Sequence, residues 1–588
     1  MTTQVLGLDG APTWADAEEL DRFEASVARF ATGEYDAEAF RRLRIWHGVY
    51  GQRQDDLYMI RVKLPGGALG AAGIEALADV AERYSQGWGH ITTRQNVELH
   101  YIALEDVVPA LRRLAAGGLT SRESGGDTVR NVTACALAGV CTDEAFDVTA
   151  AAEALARHFL RNPIAQSLAR KFKIAVSGCV TDCAHAVIQD VGVVAVEHEG
   201  SPGFRVLIGG GLGTDPRLAE PLEPLTEVRD LIVTVEALLR VWDRENVDRT
   251  KRVRVRVRNL VERLGLDIVR EKVFAERDRL RSSATYRDEP PHRLLPPRLP
   301  QPAGRPAEAA DDGADDGADD GQVPQSLSRW TARCVVRQKE PDRRAVYATA
   351  PLGHVTVAQW RALAEATRRL GVTWRTTIRQ NLVARDVSDG DVPRLHALLT
   401  EAGLGACGER SAANVVSCPG TDTCNRALTA SRGLASATVD ALVVEGVSDL
   451  GLTINISGCP NSCAHQQLAD VGLSGQVRRV GEVEAPGYRI LIGGGTDANG
   501  ANLGRYVAKV LARKAPQTVA ALLQRYRSER RAGEDFRAWA SRIGQTELAS
   551  WLTGIGGEGD GQIAPELLTD WGSARPFALA LGRSECGA

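Results

Sequence analysis

No stretch of this chain approaches about eighteen uninterrupted apolar residues, so no membrane-spanning helix is expected. The N-terminus lacks a basic region followed by a long apolar one, so no secretory leader is expected and the expected location is cytoplasmic. A formal net charge of -4 gives no wholesale attraction to nucleic acid or to a membrane surface. The triple-glycine runs at residues 209–211 and 493–495 lack the spacing of a dinucleotide fingerprint and are read as tight turns. No flavin or nicotinamide domain is visible, so a redox activity would take its electrons from another protein. The composition, 44% hydrophobic and 25% charged, is that of an ordinary globular protein, and 588 residues allow roughly three to five domains.

Cysteine is present in a pattern. Eight of the eleven cysteines fall into four close pairs, which favours metal or redox chemistry over disulfides. Cys418 and Cys424 have five residues between them, and Cys459 and Cys463 have three. Four thiolates on two short loops can hold an iron–sulfur cube. The spacing is neither the Cys-x-x-Cys run of a small ferredoxin nor a usual zinc knuckle. Pro419 and Pro460 follow the two leading cysteines and stiffen each loop at the ligand.

The chain is also two copies of one unit. Ile91-Thr92-Thr93-Arg94-Gln95-Asn96-Val97 is answered by Thr376-Thr377-Ile378-Arg379-Gln380-Asn381-Leu382. Ser177-Gly178-Cys179 through Cys183-Ala184-His185 is answered by Ser457-Gly458-Cys459 through Cys463-Ala464-His465. Order and separations are kept, as duplication and fusion would leave them. Between the copies, residues 288–325 are rich in Pro, Ala, Asp and Gly with no aromatic residue, and read as a flexible linker. Within a copy, residues 57–64 read as a strand, 72–84 as a helix and 91–102 as a strand; 172–176 and 191–196 read as strands flanking a cysteine pair.

With Tyr50 to Gln54, Met59 to Gly67, Thr92 to Asn96, Arg130 to Val132 and Arg170 to Lys173, the cysteine loops resemble the assimilatory sulfite/nitrite reductase family. The resemblance runs from about Phe23 to the C-terminus. It implies an α+β fold with two ferredoxin-like pieces (residues 20–115 and 328–405) and two larger siroheme/iron–sulfur domains (120–285 and 408–520). A C-terminal extension would follow at 521–588, and the halves would be related by a pseudo-twofold axis. It implies one 4Fe–4S cluster on Cys418, Cys424, Cys459 and Cys463, with Cys463 bridging to one siroheme. It further implies that Arg61, Arg130, Lys171 and Lys173 surround the substrate anion. Arg94 would pair with siroheme carboxylates, and Arg53 is a weaker candidate for the same role, a structural ion pair being the alternative. His100, His185 and His465 are read as structural.

The physics of such a wall is plain. A small anion must bind beside a haem that already carries eight carboxylates. At an effective dielectric of about 20, a cation at roughly 4 Å contributes about 4 kcal/mol of attraction before desolvation. Taken singly, each basic residue would be read as a surface side chain; their joint occurrence with the cysteine loops points to the wall.

Cys135, Cys141, Cys179 and Cys183 repeat the cysteine spacing in the first half. Ala136 and Val180 replace the prolines, and Tyr347, Ala413 and Gly451-Leu452-Thr453 answer the wall residues. The expectation is a relic of duplication, the other reading being a second cluster. Some family members have a cysteine where Gly125 stands, able to link to the tyrosine matching Tyr50; that link cannot form here.

The expected reaction is six-electron reduction of sulfite to sulfide, with nitrite to ammonia as the alternative. Nitrite-type members tend to have Asn at the position of Lys173, whereas sulfite-type members have Lys. Electrons would come from reduced ferredoxin or another external donor. Two readings compete from outside this activity: a monooxygenase relative from cobalamin synthesis, and a non-catalytic iron–sulfur electron carrier. The four-residue basic wall argues against both.

Overall fold

The structure, a computed structural model, describes residues 13–248, 253–283, 325–406, 408–409, 411–556, 564–582 and 585. The expected linker lies outside the described residues except for Gln325, as do Cys407 and Cys586.

The ferredoxin-like pieces share one core. In the first, Ala71–Tyr84 forms a helix because its apolar residues recur every three or four positions, burying Ile74, Leu77, Ala78 and Ala81. In the second, Val357–Leu370 does the same with Trp360, Leu363 and Ala364, capped by Thr356 and Gln359. The two helices pack on one another, and their sheets contribute to a single hydrophobic cluster.

Each ferredoxin-like sheet takes its last strand from the other half. His354–Thr356 pairs with Trp88–Ile91, with His354 opposite His90. Reciprocally, Ala68–Leu69 pairs with Thr373–Thr376, with Leu69 opposite Trp374. The exchange covers one edge of each sheet and ties the halves together through backbone hydrogen bonds.

Each larger domain has a mixed sheet. In the first, Thr133–Ala134, Ile174–Ser177 and Val191–His198 run parallel and Ser201–Ile208 returns antiparallel. In the second, Val416–Ser417, Ile454–Ser457, Val471–Val480 and Val483–Ile492 repeat the order, and Arg505–Leu511 adds an edge. The cysteine loops therefore leave the carboxyl ends of neighbouring parallel strands. His185 and His465, which answer one another in the two copies, meet with their Nδ1 atoms 3.4 Å apart.

One expected strand is divided. Residues 91–102 form not one strand but a hairpin, Trp88–Ile91 and Val97–Ala103. The polar run between them turns because Thr92 Oγ1 accepts from the N–H groups of Arg94 (3.2 Å) and Asn96 (3.1 Å). Gln95 takes a left-handed conformation, φ 56°. Local turn chemistry prevails over the alternation, and it lifts Arg94 onto the hairpin tip. The expected strand at 172–176 is observed as Ile174–Ser177, with Phe172 making an isolated bridge to Val129.

Candidate functional site

The second-half cysteine loops are packed too closely for side chains at their glycines. A Cβ on Gly458 would lie 2.6 Å from the Thr429 carbonyl, and one on Gly475 would lie 2.5 Å from the Gly458 carbonyl. Gly458 N–H donates to Cys418 Sγ at 3.2 Å, and Ser431 Oγ donates to the Cys418 carbonyl at 2.9 Å. A thiolate at Cys418 thus already has an N–H donor. Cys459 is buried, Cys418 and Cys424 are half-buried and Cys463 is exposed. Thr93 Oγ1 donates to the Cys463 carbonyl at 2.7 Å, so the exposed cysteine lies against the hairpin that carries Arg94.

The four expected anion-binding residues fall on adjoining backbone. Arg130 N–H donates to the Phe172 carbonyl at 2.8 Å, placing Arg130 beside Lys171 and Lys173. Arg61 and Arg130 both donate to the Ser124 carbonyl, at 3.3 and 3.1 Å. Burial pushes the Lys173 ammonium well below its ordinary pKa, with Arg94, Lys171 and Arg256 adding to the shift and Asp190 opposing it. Burial also lowers Arg94 to about 9, with Arg130 the next cause.

The structure adds counter-charges that the sequence reading lacked. Arg61 sits opposite Glu98 across the strand pair and bonds to it through Nε at 2.8 Å. Burial raises the Glu98 carboxyl, but Arg61 and His100 outweigh it and hold it well below the usual carboxylate range. His100, 3.5 Å from Glu98, is part of this pair's surroundings and keeps its structural reading. Arg256 forms a forked pair with the fully buried Asp190, whose other contact is the Lys173 N–H at 2.9 Å. Glu98 could have been found from its register opposite Arg61; Arg256 has no local signal, being 66 residues from its partner.

Arg53 differs from expectation. Its guanidinium donates to the carbonyls of Cys424 (3.2 Å) and Ala427 (3.1 Å), and its backbone N–H to Thr423 (2.9 Å). It binds a cysteine loop, which neither the haem-carboxylate reading nor the ion-pair reading anticipated. The triple-glycine runs are turns after strands, with Gly209 and Gly493 at φ 83° and 77°.

An anionic tetrapyrrole fits these residues. Arg94 Nε is buried with no hydrogen-bond partner, and five further cations (Arg61, Arg130, Lys171, Lys173 and Arg256) surround it or Lys173. Carboxylates at this point would satisfy the orphaned donor and offset the mutual repulsion. Cys463 lies at the same place: burial and His185 lower the pKa of His465, two residues beyond it, and Lys173 and Arg94 add to that shift.

Comparison with known proteins gives a consistent answer. Residues 125–280 and 408–555 match the family described as nitrite and sulphite reductase 4Fe-4S domain. Residues 50–117 and 336–402 match the nitrite/sulfite reductase ferredoxin-like half domain. Sulfite reductase (ferredoxin) 1 of Mycolicibacterium paratuberculosis is 30% identical over 86% of this chain and 88% of its own length. An assimilatory ferredoxin-dependent nitrite reductase of Haloferax mediterranei is 29% identical over 88% of this chain and 87% of its own. The solved structure of the Mycobacterium tuberculosis NirA protein has a TM-score of 0.74 at 28% identity, covering 90% of this chain and 95% of that one.

Proposed function

Because the chain belongs to the nitrite and sulphite reductase family, with both of its domain types present twice, we propose that it reduces sulfite to sulfide, nitrite reduction being the second activity of the same centre. Relatives at similar identity are named for each anion, so the family alone does not choose between them. The observation that favours sulfite is Lys173. Its backbone adjoins that of Lys171 and Arg130, Arg61 shares the Ser124 carbonyl with Arg130, and a fourth cation suits the more highly charged anion.

Siroheme and the 4Fe–4S cluster, when bound, supply the electron path and the iron that takes the substrate. Cys418, Cys424, Cys459 and Cys463 would hold the cluster, Cys463 facing the haem, and Arg94 would take a haem carboxylate. This chain's residues then do two things. Arg61 and Arg130 are braced on the Ser124 carbonyl, so they meet the anion without reorganising. Lys173 Nζ, its pKa lowered by burial and by its cationic neighbours, releases a proton more readily than an ordinary lysine. The arriving anion raises that pKa again, so a proton is taken up with the substrate and stands at Nζ beside it. The names of the relatives support reduced ferredoxin as the donor.

The test is steady-state reduction of both anions by siroheme-loaded protein with reduced methyl viologen, in the parent and in Lys173→Asn. The expected result is a higher kcat/KM for sulfite in the parent and a shift toward nitrite in the variant. A parent that prefers nitrite overturns the assignment of sulfite.

A further inference from the structure

The first-half cysteines were expected to be a relic because Ala136 and Val180 stand in place of the loop prolines and because the second half lacks the basic wall. The structure separates those two matters, since a wall binds an anion whereas a cluster needs only its loops. Both loops are intact. Cys135 N–H donates to the Val176 carbonyl at 3.1 Å, as Cys418 N–H does to Ile456 at 3.3 Å. Ala134 N–H donates to Gln95 Oε1 and Ser417 N–H to Gln380 Oε1, both at 2.8 Å. Lys339 N–H donates to the Val140 carbonyl at 3.0 Å, as Arg53 N–H does to Thr423 at 2.9 Å. Ala145 N–H donates to Gly178 at 2.8 Å, as Leu428 N–H does to Gly458 at 2.9 Å. Four equivalent hydrogen bonds hold each loop pair to its own sheet and to the opposite ferredoxin-like piece.

The thiols converge. Cys183 Sγ is 2.8 Å from Cys135 Sγ and is also hydrogen-bonded to Cys179. Cys141 is near enough to Cys135 and Cys179 to feel their charge. None of the four is in a disulfide, and the exposed member is Cys183, as it is Cys463 in the other quartet. Among the described residues, no three Cys, His, Asp or Glu side chains surround a point that a single ion could fill. That holds for both quartets.

Charge compensation is also duplicated. A cube with four thiolates is a net anion. Cys135 lies close enough to the buried Arg375 to favour its charged form, as Cys418 does for Arg432. Arg375 is otherwise anchored through Thr149 Oγ1 at 3.3 Å.

We propose that Cys135, Cys141, Cys179 and Cys183 ligate a second 4Fe–4S cluster, a reading that rests on the second-half quartet holding the first. With Tyr347, Ala413 and Thr453 in place of wall residues, no substrate anion would bind beside it.

The experiment is iron and acid-labile sulfide analysis of the full chain, purified and reconstituted without oxygen, with siroheme iron counted separately from its Soret band. The parent is expected to hold about eight cluster irons and eight sulfides rather than about four of each. Cys135→Ser/Cys179→Ser is expected to hold about four of each. A parent with about four, unchanged in that variant and lost in Cys418→Ser/Cys459→Ser, overturns the second site and leaves the proposed function standing. A parent with about four that are lost only in the first-half variant also overturns the second cluster, and with it the ligand assignment of the second half. Stoichiometric zinc, or a Cys135–Cys183 disulfide found by mass spectrometry, beside about four irons also overturns the proposal. The parent count decides even if a variant does not fold.

Discussion

A Cβ on Gly125 would lie 2.0 Å from Tyr50 Oη. Tyr50 is buried and is the platform for Arg61, whose Nη1 donates to Oη at 3.0 Å and whose guanidinium lies 4.6 Å from the ring centroid. Glycine at this position makes the room for the phenol. Gly125→Ala would therefore overpack the site by about 1–3 kcal/mol and displace Arg61. The expected outcome is a lower melting temperature and a roughly tenfold loss of kcat/KM for sulfite, with haem content retained. Tyr50→Phe, which removes only the hydroxyl, should lose less. If Gly125→Ala behaves as the parent, Arg61 does not depend on this contact.

Arg53 joins the ferredoxin-like piece to the cluster loop by donating to two of its carbonyls. Charge-assisted hydrogen bonds of this kind are worth about 1.5–3 kcal/mol. In Arg53→Ala the loop should loosen, so that the visible absorption of the cluster bleaches faster in air while the far-ultraviolet circular dichroism is unchanged. Arg53→Lys, with one donor group in place of a fork, should fall between the two. Equal bleaching rates in all three proteins would exclude the clamp.

Buried neutral histidines make the protein sensitive to acid. Burial, with Arg122, lowers His47 to about 3; burial, with Arg432, lowers His90 to about 3 and His354 to about 2. Between the ordinary value of about 6.5 and these values, the unfolded chain binds protons that the folded chain does not. Stability therefore rises with pH across this window and is lost as pH falls from about 6.5 toward 3. The apparent melting temperature should decline steadily below pH ~6, and His90→Gln/His354→Gln should flatten the decline. A double variant with the parent's slope would assign acid sensitivity to other groups.

The duplication was legible because its motifs are local; the grouping of Arg130 with Lys171 and Lys173 came from the resemblance alone. Asp190 and Arg256 were not, because they come from elements that meet only in the fold, whereas Glu98 had a signal in its register opposite Arg61. Arg53 was a weaker haem-carboxylate candidate by resemblance alone, whereas its guanidinium binds the carbonyls of Cys424 and Ala427. The first-half quartet was discounted on the missing prolines and the absence of a wall, although the bonds that shape its loops come from Gln95 and Lys339, far away in sequence. The strand exchange between His354–Thr356 and Trp88–Ile91 has no sequence signal, since a three-residue edge strand carries too short a pattern.

The chain's last described residue braces the same loop. Glu585 pairs with Arg44 in a nearly closed site, their side chains 10% and 9% exposed, and it also accepts from the Gly51 N–H. Just before it, Gly582 N–H donates to the Asn425 carbonyl at 3.0 Å, and Asn425 Nδ2 donates to Gln52 at 3.0 Å. The tail thus links the strand leading to Arg53 with the loop beyond Cys424. Glu585→Gln leaves the Arg44 guanidinium without its counter-charge, which for a buried pair costs about 3 kcal/mol or more. The expected outcome is a lower melting temperature together with faster cluster bleaching. Arg44→Met/Glu585→Gln should recover part of that loss, because it removes the stranded charge as well as the bond. If the two single changes simply add in the double variant, the pair is not coupled and the tail does not brace the loop through it.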